Sequence, residues 1–178
     1  MSALIDLFTS EGLCNTHHYR QGHQFELSGY IGLVLSGLVA VEGLANTADA
    51  SPVTVRLVKA GSFLNMGNLN KTQTKAQNYY VESEAASISQ MSAEHLRKLL
   101  ASGDLCSRAG LQSGILEAVC KEAEELTETV GYLGGCRGKQ KVAWAKARLE
   151  GVEISALRLA SHIGADAMTV YRGLKGLA

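Results

Sequence analysis

The C-terminal stretch that decides the fold reads Ile154-Ser-Ala-Leu-Arg-Leu-Ala-Ser-His-Ile-Gly-Ala-Asp-Ala-Met-Thr-Val-Tyr-Arg-Gly-Leu-Lys-Gly-Leu177. Ser155 is a suitable N-cap for a first helix, and Asp166 is a suitable N-cap for a second. Gly164 between them can adopt the left-handed conformation that a tight turn between helices requires. The pattern predicts a helix-turn-helix, in which the second helix enters the DNA major groove. An ordinary helical hairpin is the alternative interpretation.

Apolar spacing predicts one inward face on each of these two helices. The predicted inward residues are Leu157, Leu159, Ala160 and Ile163 in the first helix, and Val170, Leu174 and Leu177 in the second. The more exposed positions of the second helix are Ala167, Met168, Thr169, Tyr171, Arg172 and Lys175. These exposed positions are therefore the candidate DNA-contacting face.

Charge is unevenly distributed along the 178 residues. The chain has 17 Lys and Arg against 17 Asp and Glu, which gives a net charge of zero. From Arg137 onward, however, eight basic residues stand against three acidic ones, so this part carries a net charge of +5 and the rest about −5. A basic C-terminal part on an acidic body is typical of a protein with a nucleic-acid-binding module.

Length and cysteine spacing favour a reduced protein of the bacterial cytoplasm. The length allows one domain or two small ones. The four cysteines are far apart and form no Cys-x-x-Cys pair, which favours free thiols. Neither a signal peptide nor an apolar run long enough for a bilayer is visible. We therefore expect a cytoplasmic protein that does not bind a membrane.

Residues 16–91 are predicted to form β-structure, because glycines separate many short apolar runs. The clearest strands are Tyr30–Leu35, Leu38–Val41, Val53–Val58 and Tyr79–Val81, the last leading into Ala86–Ile88. Pro52 stands at a strand start, where its missing N–H does least harm. This arrangement indicates a sandwich or a barrel-like roll.

Helices are predicted after Met91. Ser92 is a candidate N-cap for a short helix, and a long proline-free helix is expected from Asp104 to Leu133. Apolar residues that repeat along this long helix suggest a dimer seam, although Glu122 and Thr129 interrupt the repeat. The seam residues are Ile115, Val119, Leu126, Val130 and Leu133. A helix buried against its own domain is the alternative. Gly134 and Gly135 are expected to end the helix as a hinge, before a further helix over Lys139–Leu149.

The order of these elements, and a series of short motifs, resembles the cyclic AMP receptor/FNR family of bacterial transcription regulators. The similar motifs are Tyr19-Arg-Gln-Gly22, Leu27-Ser-Gly29, Leu35-Ser-Gly-Leu-Val-Ala-Val41, Lys59-Ala-Gly-Ser-Phe63, Val81-Glu-Ser-Glu-Ala-Ala-Ser-Ile-Ser-Gln-Met-Ser92, Lys141-Val-Ala143 with Leu149, Leu159-Ala-Ser-His-Ile-Gly164 and Thr169-Val-Tyr-Arg172. The resemblance implies an α+β protein with an N-terminal β-roll like the cyclic-nucleotide-binding jelly roll, a long dimerisation helix and a C-terminal helix-turn-helix. The implied units are 1–103, 104–135 and 136–178.

The segment 65–78 departs from the cyclic-nucleotide-binding members of this family. Those members hold the ribose with a glutamate and the cyclic phosphate with an Arg-Ser pair. Here Asn68 is the nearest equivalent of the glutamate, and no Arg-Ser pair precedes Tyr79. Lys71 and Lys75 lack the bidentate fork of arginine, and an unpaired phosphate in a closed pocket is costly. We therefore expect no cyclic nucleotide to bind.

Other cofactors of the family are not predicted either. FNR-like members bind an iron–sulfur cluster through clustered N-terminal cysteines, whereas Cys14 stands alone in its region. Cys14, His17, His18 and His23 are close in sequence, but their spacing fits no standard metal site. We expect neither a metal nor another cofactor.

The resemblance implies that Arg172 reads bases, because it stands at the family's base-reading arginine and can donate two bonds to a guanine edge. Thr169 and Lys175 would contact phosphates, and Tyr171 a phosphate or a thymine methyl. The start of the recognition helix departs from the family, with Ala167 and Met168 where an arginine and a glutamate are common. Gly173 and Gly176 are expected to weaken the helix. No β-hairpin wing follows it within the sequence, so weakened specific binding is expected.

Three classes of function compete for this sequence. The leading prediction is a homodimeric regulator that binds double-stranded DNA and is not an enzyme. The alternative is a non-enzymatic interaction protein on the same scaffold, which binds another regulatory protein instead of DNA. An enzyme of the cupin type is the third class. It needs a His-x-His and Glu cluster on the strands, whereas His17 and His18 are adjacent and do not form the His-x-His pattern.

Overall fold

The computed structural model describes residues 2–43, 53–70, 77–149, 152 and 154–176. The helices in these residues are α1 (Ser2–Thr9), α2 (Ala93–Ser102), α3 (Leu105–Gly135), α4 (Gly138–Arg148), α5 (Ala156–Ile163) and α6 (Ala167–Lys175), with a 3-10 helix at Met66–Asn70. The strands are β1 (Asn15–Arg20), β2 (Gln24–Phe25), β3 (Tyr30–Ser36), β4 (Leu38–Gly43), β5 (Val53–Lys59), β6 (Phe63–Leu64), β7 (Asn78–Val81) and β8 (Ala85–Ser92). None of the described helices is both long and apolar enough to cross a membrane.

The strands form a sandwich of two four-stranded antiparallel sheets within the described residues. One sheet has the order β1-β8-β3-β6, and the other has the order β2-β7-β4-β5. Val34 and Ile88 of the first sheet pack between the sheets against Val39 and Val81 of the second. The prediction of an α+β fold with an N-terminal β-roll is therefore confirmed.

Helices cover the outer face of each sheet. On the first sheet, Ile31 and Leu33 pack against α1, α2 and α3. On the second sheet, Leu38, Ala40 and Leu57 pack against the apolar faces of α4, α5 and α6. Because successive residues of a strand point to opposite faces, β4 is buried on both sides. The C-terminal helices thus share an apolar core with the sandwich.

The local helix predictions agree with the structure to within about two residues, the usual scatter of helix ends. Ser92 caps α2 by accepting a hydrogen bond from His95 N–H, and Asp104 caps α3 through the N–H groups of Cys106 and Ser107. The hydrogen bonds to the Asp104 carboxylate lower its pKa, and the one from the Ser107 hydroxyl has the largest effect. After Gly135, only two residues separate α3 from α4.

Candidate nucleic-acid interface

Helices α5 and α6 form the helix-turn-helix that the sequence predicts. Ser155 Oγ accepts a hydrogen bond from Arg158 N–H at 3.2 Å. Gly164 ends α5 in the left-handed conformation, with φ 59° and ψ 43°. Asp166 then caps α6 by accepting the Thr169 N–H at 2.8 Å. Both predicted caps and the predicted turn glycine are confirmed.

The outward face of α6 carries an apolar side chain, an aromatic ring and two cations. Met168 is 56% exposed and Tyr171 is 50% exposed. Arg172 and Lys175 are also exposed, and Lys175 Nζ lies 4.6 Å from the centroid of the Tyr171 ring. Four of the five predicted DNA-contacting residues are therefore exposed on one face of α6, where a single partner could contact all of them.

Thr169, the fifth of these residues, is half-buried. Its hydroxyl donates to Asp166 Oδ2 at 2.6 Å. The hydrogen bonds from the Thr169 hydroxyl and N–H lower the pKa of the Asp166 carboxyl. In this structure Thr169 therefore stabilises the start of the recognition helix, and its hydroxyl is already engaged there.

Gly173 has a packing role that the sequence did not reveal. It is buried in α6, and a Cβ added there would stand 3.1 Å from Val142 Cγ2 on α4. Gly176 lies at the C-cap of α6, outside its interior. The expectation that Gly176 weakens the helix interior is therefore wrong, because Gly176 stands past the helix end, whereas Gly173 lies inside the helix as expected and allows the close approach of α4. Leu177 lies outside the described residues.

Part of the basic charge of the C-terminal residues is neutralised within the molecule. Arg148 pairs with Glu128 of α3 at 2.9 Å. Arg158 pairs with Glu82 at 2.7 Å and with Glu42 at 3.2 Å. The charge available to a polyanion is thus smaller than the sequence count suggests.

The predicted dimer residues of α3 lie in different environments. Val130 is 69% exposed and Val119 is 44% exposed, whereas Leu126 is half-buried. Ile115 packs against the cluster that joins α1, α2 and the first sheet. Leu133 packs against the cluster that joins the second sheet and the C-terminal helices. Ile115 and Leu133 thus contribute to the protein's own core.

An exposed apolar stripe nevertheless runs along α3. It consists of Leu116, Val119, Ala123, Leu126 and Val130, spaced alternately by three and four residues. Leu116 is 65% exposed. This spacing is the heptad pattern of a coiled-coil seam. We call these five residues the outer stripe.

The side of α3 that packs on the sandwich contains the residues that interrupt the predicted repeat. Thr129 is 6% exposed, and its hydroxyl donates to Glu125 O at 2.8 Å. Glu122 accepts a hydrogen bond from Arg56 Nη1 of β5, and Glu125 accepts another from Arg56 Nη2 at 2.9 Å. Burial raises the pKa of Glu122, with Glu125 adding to the effect of burial and Arg56 opposing it. Arg56, which is 4% exposed, thereby ties β5 to the long helix.

A second buried polar cluster joins α5 to the second sheet, and neither it nor its members were predicted. It comprises Glu42, Thr54, Glu82, Arg158 and His162, which we call the Glu82 cluster. Thr54 Oγ1 and His162 Nδ1 are 2.6 Å apart, and His162 Nε2 lies 3.4 Å from Glu82 Oε1. His162 is 2% exposed. The position of His162 in the sequence could have predicted its burial, since it lies between the buried Leu159 and Ile163 on the inward side of α5.

The described residues of the segment that departs from the cyclic-nucleotide pattern are held by contacts within the protein. Met66 is 3% exposed and packs in the cluster beneath α3. The Asn68 side-chain amide donates to the carbonyls of Leu27 and Tyr30, both at 3.1 Å. Lys71 and Lys75, the candidate phosphate ligands, lie outside the described residues.

The candidate metal ligands near the N-terminus are held by separate contacts. His17 and His23 each stack with Tyr19, at centroid distances of 6.1 and 4.9 Å. His18 Nδ1 lies 2.8 Å from Ser87 Oγ. The thiol of Cys14 donates to Leu7 O at 3.7 Å.

No family model and no curated protein matches this sequence. Solved structures are similar, however. The c-di-GMP responsive global regulator CLP of Xanthomonas campestris has a TM-score of 0.75 at 15% identity, over 99% of this chain and 91% of that chain. FixK2 of Bradyrhizobium japonicum has a TM-score of 0.73 at 15% identity, over 92% and 84%.

A CRP/FNR-family transcriptional regulator from Thermus thermophilus is similar as well. It has a TM-score of 0.68 at 18% identity, over 92% of this chain and 85% of that chain. The fold is that of the CRP/FNR transcription regulators. The resemblance predicted from the sequence motifs is thus confirmed at the level of the fold.

Proposed function

We propose that this chain is a divergent CRP/FNR-type regulator of the bacterial cytoplasm that acts as a homodimer and binds double-stranded DNA. The observation that carries the proposal is the capped helix-turn-helix whose second helix exposes Arg172 and Lys175 to solvent. A helix of this kind inserts its first turns into the major groove and contacts base edges. The function is one of recognition and needs no catalytic residue.

Dimerisation is proposed along the outer stripe of α3. Leu116 and Val130 at its two ends are each about two-thirds exposed. A contiguous apolar patch of this kind is costly to leave in water, and a second copy of the helix with the same heptad spacing would cover it. A two-fold dimer would also present two recognition helices to two half-sites of a duplex.

Base reading is proposed for Arg172. Its guanidinium can donate two hydrogen bonds to a guanine edge, which discriminates against other bases by roughly 1–3 kcal/mol. Met168 and Tyr171 lie on the same exposed face; Met168 suits an apolar contact with a thymine methyl group, and Tyr171 suits a thymine methyl group or a phosphate. Lys175 suits a phosphate.

The test is a binding titration of the wild type and of Arg172→Ala. It uses a duplex selected by the wild type from a random pool and a random duplex, over a range of salt concentrations. Arg172→Ala should lose most of the preference for the selected duplex and keep most of the non-specific binding. Lys175→Ala should weaken binding to both duplexes and lower the salt slope by about one. Arg20→Ala, an exposed arginine on β1, is the matched control. A wild type without DNA affinity at low salt would contradict the proposal and support binding to another regulatory protein.

We also propose that cyclic AMP and cyclic GMP are not ligands. The space between β5 and α3 contains the Arg56, Glu122 and Glu125 ion pairs, and Met66 fills the cluster beneath α3. Arg56, the buried arginine in this space, is already engaged by Glu122 and Glu125 and is therefore not available to a nucleotide phosphate. Thermal unfolding with millimolar nucleotide tests the proposal, since a ligand of the native state raises the midpoint in a saturable way. A saturable rise would overturn it.

A further inference from the structure

A cavity of about 480 Å³ lies where the sandwich, the long helix and the C-terminal unit meet. Its walls come from the end of β5 and the turn that follows, from α3, and from α4. Small-molecule sites in proteins have volumes of roughly 300–1,000 Å³. A ligand in this cavity would contact all three parts of the molecule.

Basic residues outnumber acidic ones on the cavity wall, with Lys59, Lys121 and Arg148 against Glu125 and Glu128. Each wall carboxylate has an arginine partner at 2.9 Å: Glu125 pairs with Arg56, which also pairs with Glu122, and Glu128 pairs with Arg148. Lys59 of β5 and Lys121 of α3 also line the cavity. Neither side chain has a hydrogen-bond or ion-pair partner among the residues that the structure describes. The wall is therefore complementary to an anion.

A serine hydroxyl on the same wall is also available to a ligand. Ser62 borders the cavity and is 4% exposed. In the described part of the chain, its backbone N–H bonds to Lys59 O, but its hydroxyl has no hydrogen-bond partner. A serine hydroxyl in this position can donate a hydrogen bond to a ligand oxygen. Ser62 adjoins the turn that follows Lys59, so it can serve the same anionic head.

The remaining wall is apolar and rigid. It includes Leu57 and the indole of Trp144. Trp144 is fixed on both sides, because its ring stacks on Tyr132 at 5.2 Å and its Nε1–H donates to Glu128 Oε1 at 3.0 Å. Such a surface suits the flat or apolar body of a small molecule.

The cavity lies away from the outer stripe. Lys121, Glu125 and Glu128 follow the spacing of one helix face, offset by two residues from Val119, Ala123 and Leu126. Two residues correspond to about 200° around an α-helix. The cavity and the stripe are therefore on opposite sides of α3, and a dimer along the stripe would leave the cavity accessible.

We propose that this cavity binds a small organic anion. Its phosphate or carboxylate head is held by Lys59, Lys121 and Ser62, and its apolar body lies against Leu57 and Trp144. The site is separate from the recognition helix α6, so the proposal holds whether or not the chain binds DNA.

Trp144 is the single tryptophan of the chain, so its fluorescence reports on this cavity directly. The probe is phenyl phosphate, excited at the red edge of the tryptophan band where the probe does not absorb, with calorimetry as a second readout. We expect a saturable change with a dissociation constant on the order of 1 mM, given the small size of the probe. Inorganic phosphate should bind more weakly, and phenol should not bind. Benzoate in place of phenyl phosphate distinguishes a carboxylate head from a phosphate head.

Variants assign the binding to this wall. Lys59→Ala and Lys121→Ala should each weaken phenyl phosphate binding about tenfold, because each removes a charge-assisted contact. Lys98→Ala, an exposed lysine of α2, is the matched control and should bind as the wild type does. Lys59 and Lys98 are exposed and Lys121 is half-buried, and unchanged thermal unfolding verifies that the variants fold. If neither phenyl phosphate nor benzoate binds at about ten times the expected dissociation constant, the proposal is wrong. Binding that survives loss of both wall lysines, or equal binding of phenol, would also overturn it.

Discussion

Gly37 illustrates how much a single position contributes to the sandwich. It joins β3 to β4 with φ 86°. A Cβ at this position would stand 2.4 Å from Ala85 O and 2.9 Å from Ala86 Cα. Only glycine can therefore bring this turn against the start of β8. By contrast, Gly22 has φ 78° and nothing within 4 Å of an added Cβ.

This contrast gives a prediction at the scale of the residue. Gly22→Ala should lower the free energy of unfolding by about 1–2 kcal/mol, which is the cost of a left-handed conformation with a Cβ. Gly37→Ala should cost at least about 1 kcal/mol more, because backbone atoms must move as well. Urea unfolding followed by circular dichroism measures both. Equal costs would show that the close approach at Gly37 does not matter.

Individual side chains also correct the predicted faces of α5. Leu157 was assigned to the inward face but is 74% exposed. His162 was not assigned there but is 2% exposed, against Thr54 and Glu82. The apolar spacing located Leu159 and Ile163 correctly. It could not detect a buried histidine, because the partners of His162 lie more than 75 residues away in the chain.

At the scale of the element, α3 has three different faces. One face carries Gly114, Ala118 and Thr129 and packs on the sandwich. A second face lines the cavity with Lys121, and a third is the outer stripe. A seven-residue repeat in the sequence indicates an apolar face but not what covers it. The structure distinguishes the residues of α3 that pack on the sandwich from those left exposed: Glu122 pairs with Arg56 of β5, whereas Val130 is exposed on the outer stripe.

The dimer prediction belongs to this element. Leu116→Glu and Val130→Glu should each shift the protein to monomer at micromolar concentration without unfolding it, since both side chains are exposed in the single chain. Leu126→Glu should also give monomer, at some cost in stability because Leu126 is half-buried. Sedimentation velocity measures the state, and circular dichroism verifies the fold.

Leu157→Glu, which changes an exposed leucine outside α3, is the control and should remain dimeric. A wild type that sediments as a monomer at micromolar concentration would rule out the seam. So would a dimer that survives all three substitutions on the stripe.

At the scale of the whole molecule, the Glu82 cluster connects helix α5 of the helix-turn-helix to the second sheet of the sandwich. Arg158 Nε donates to Glu82 Oε1 at 2.8 Å, and its guanidinium lies 5.0 Å from the centroid of the Tyr80 ring. Burial by itself would raise the pKa of Glu82, but hydrogen bonds and charge from His162 and Arg158 outweigh burial and lower it. The cluster therefore stabilises the ionised carboxylate.

A lowered pKa in the folded state predicts the direction of a pH effect. The stabilisation by Glu82 is present above the ordinary glutamate pKa and is lost as the pH falls through the folded value. The free energy of unfolding should thus decrease on acidification, and Glu82→Gln should show a smaller decrease than the wild type. Urea unfolding from neutral pH to below the ordinary glutamate range measures the difference. Glu11→Gln, an exposed glutamate, is the control, and identical slopes for Glu82→Gln and wild type would contradict the prediction.

The two apolar clusters on the outer faces of the sandwich explain the composition of its strands. Leu38 and Ala40 point to the C-terminal helices, whereas Val39 and Val41 point between the sheets. A strand covered on both faces is a continuous apolar run without polar alternation. The sequence therefore indicated strands and turns here, but not that a helix-turn-helix would cover one sheet.

The sequence by itself determined the local structure: the caps at Ser92, Ser155 and Asp166, the left-handed Gly164 and the exposed face of α6. These features depend on residues within a few positions of one another, so spacing and side-chain chemistry are sufficient to predict them. The motifs, taken in order, also predicted the fold.

Only the tertiary structure decided which charges are paired and which faces are covered. Arg56 lies more than 60 residues before Glu122 and Glu125, and Glu82 is separated from His162 by a similar distance along the chain. No local pattern encodes such pairs, because the sequence does not specify which distant side chains the strands and helices bring within a few ångströms. The cavity beside Trp144 arises for the same reason, where β5, α3 and α4 meet.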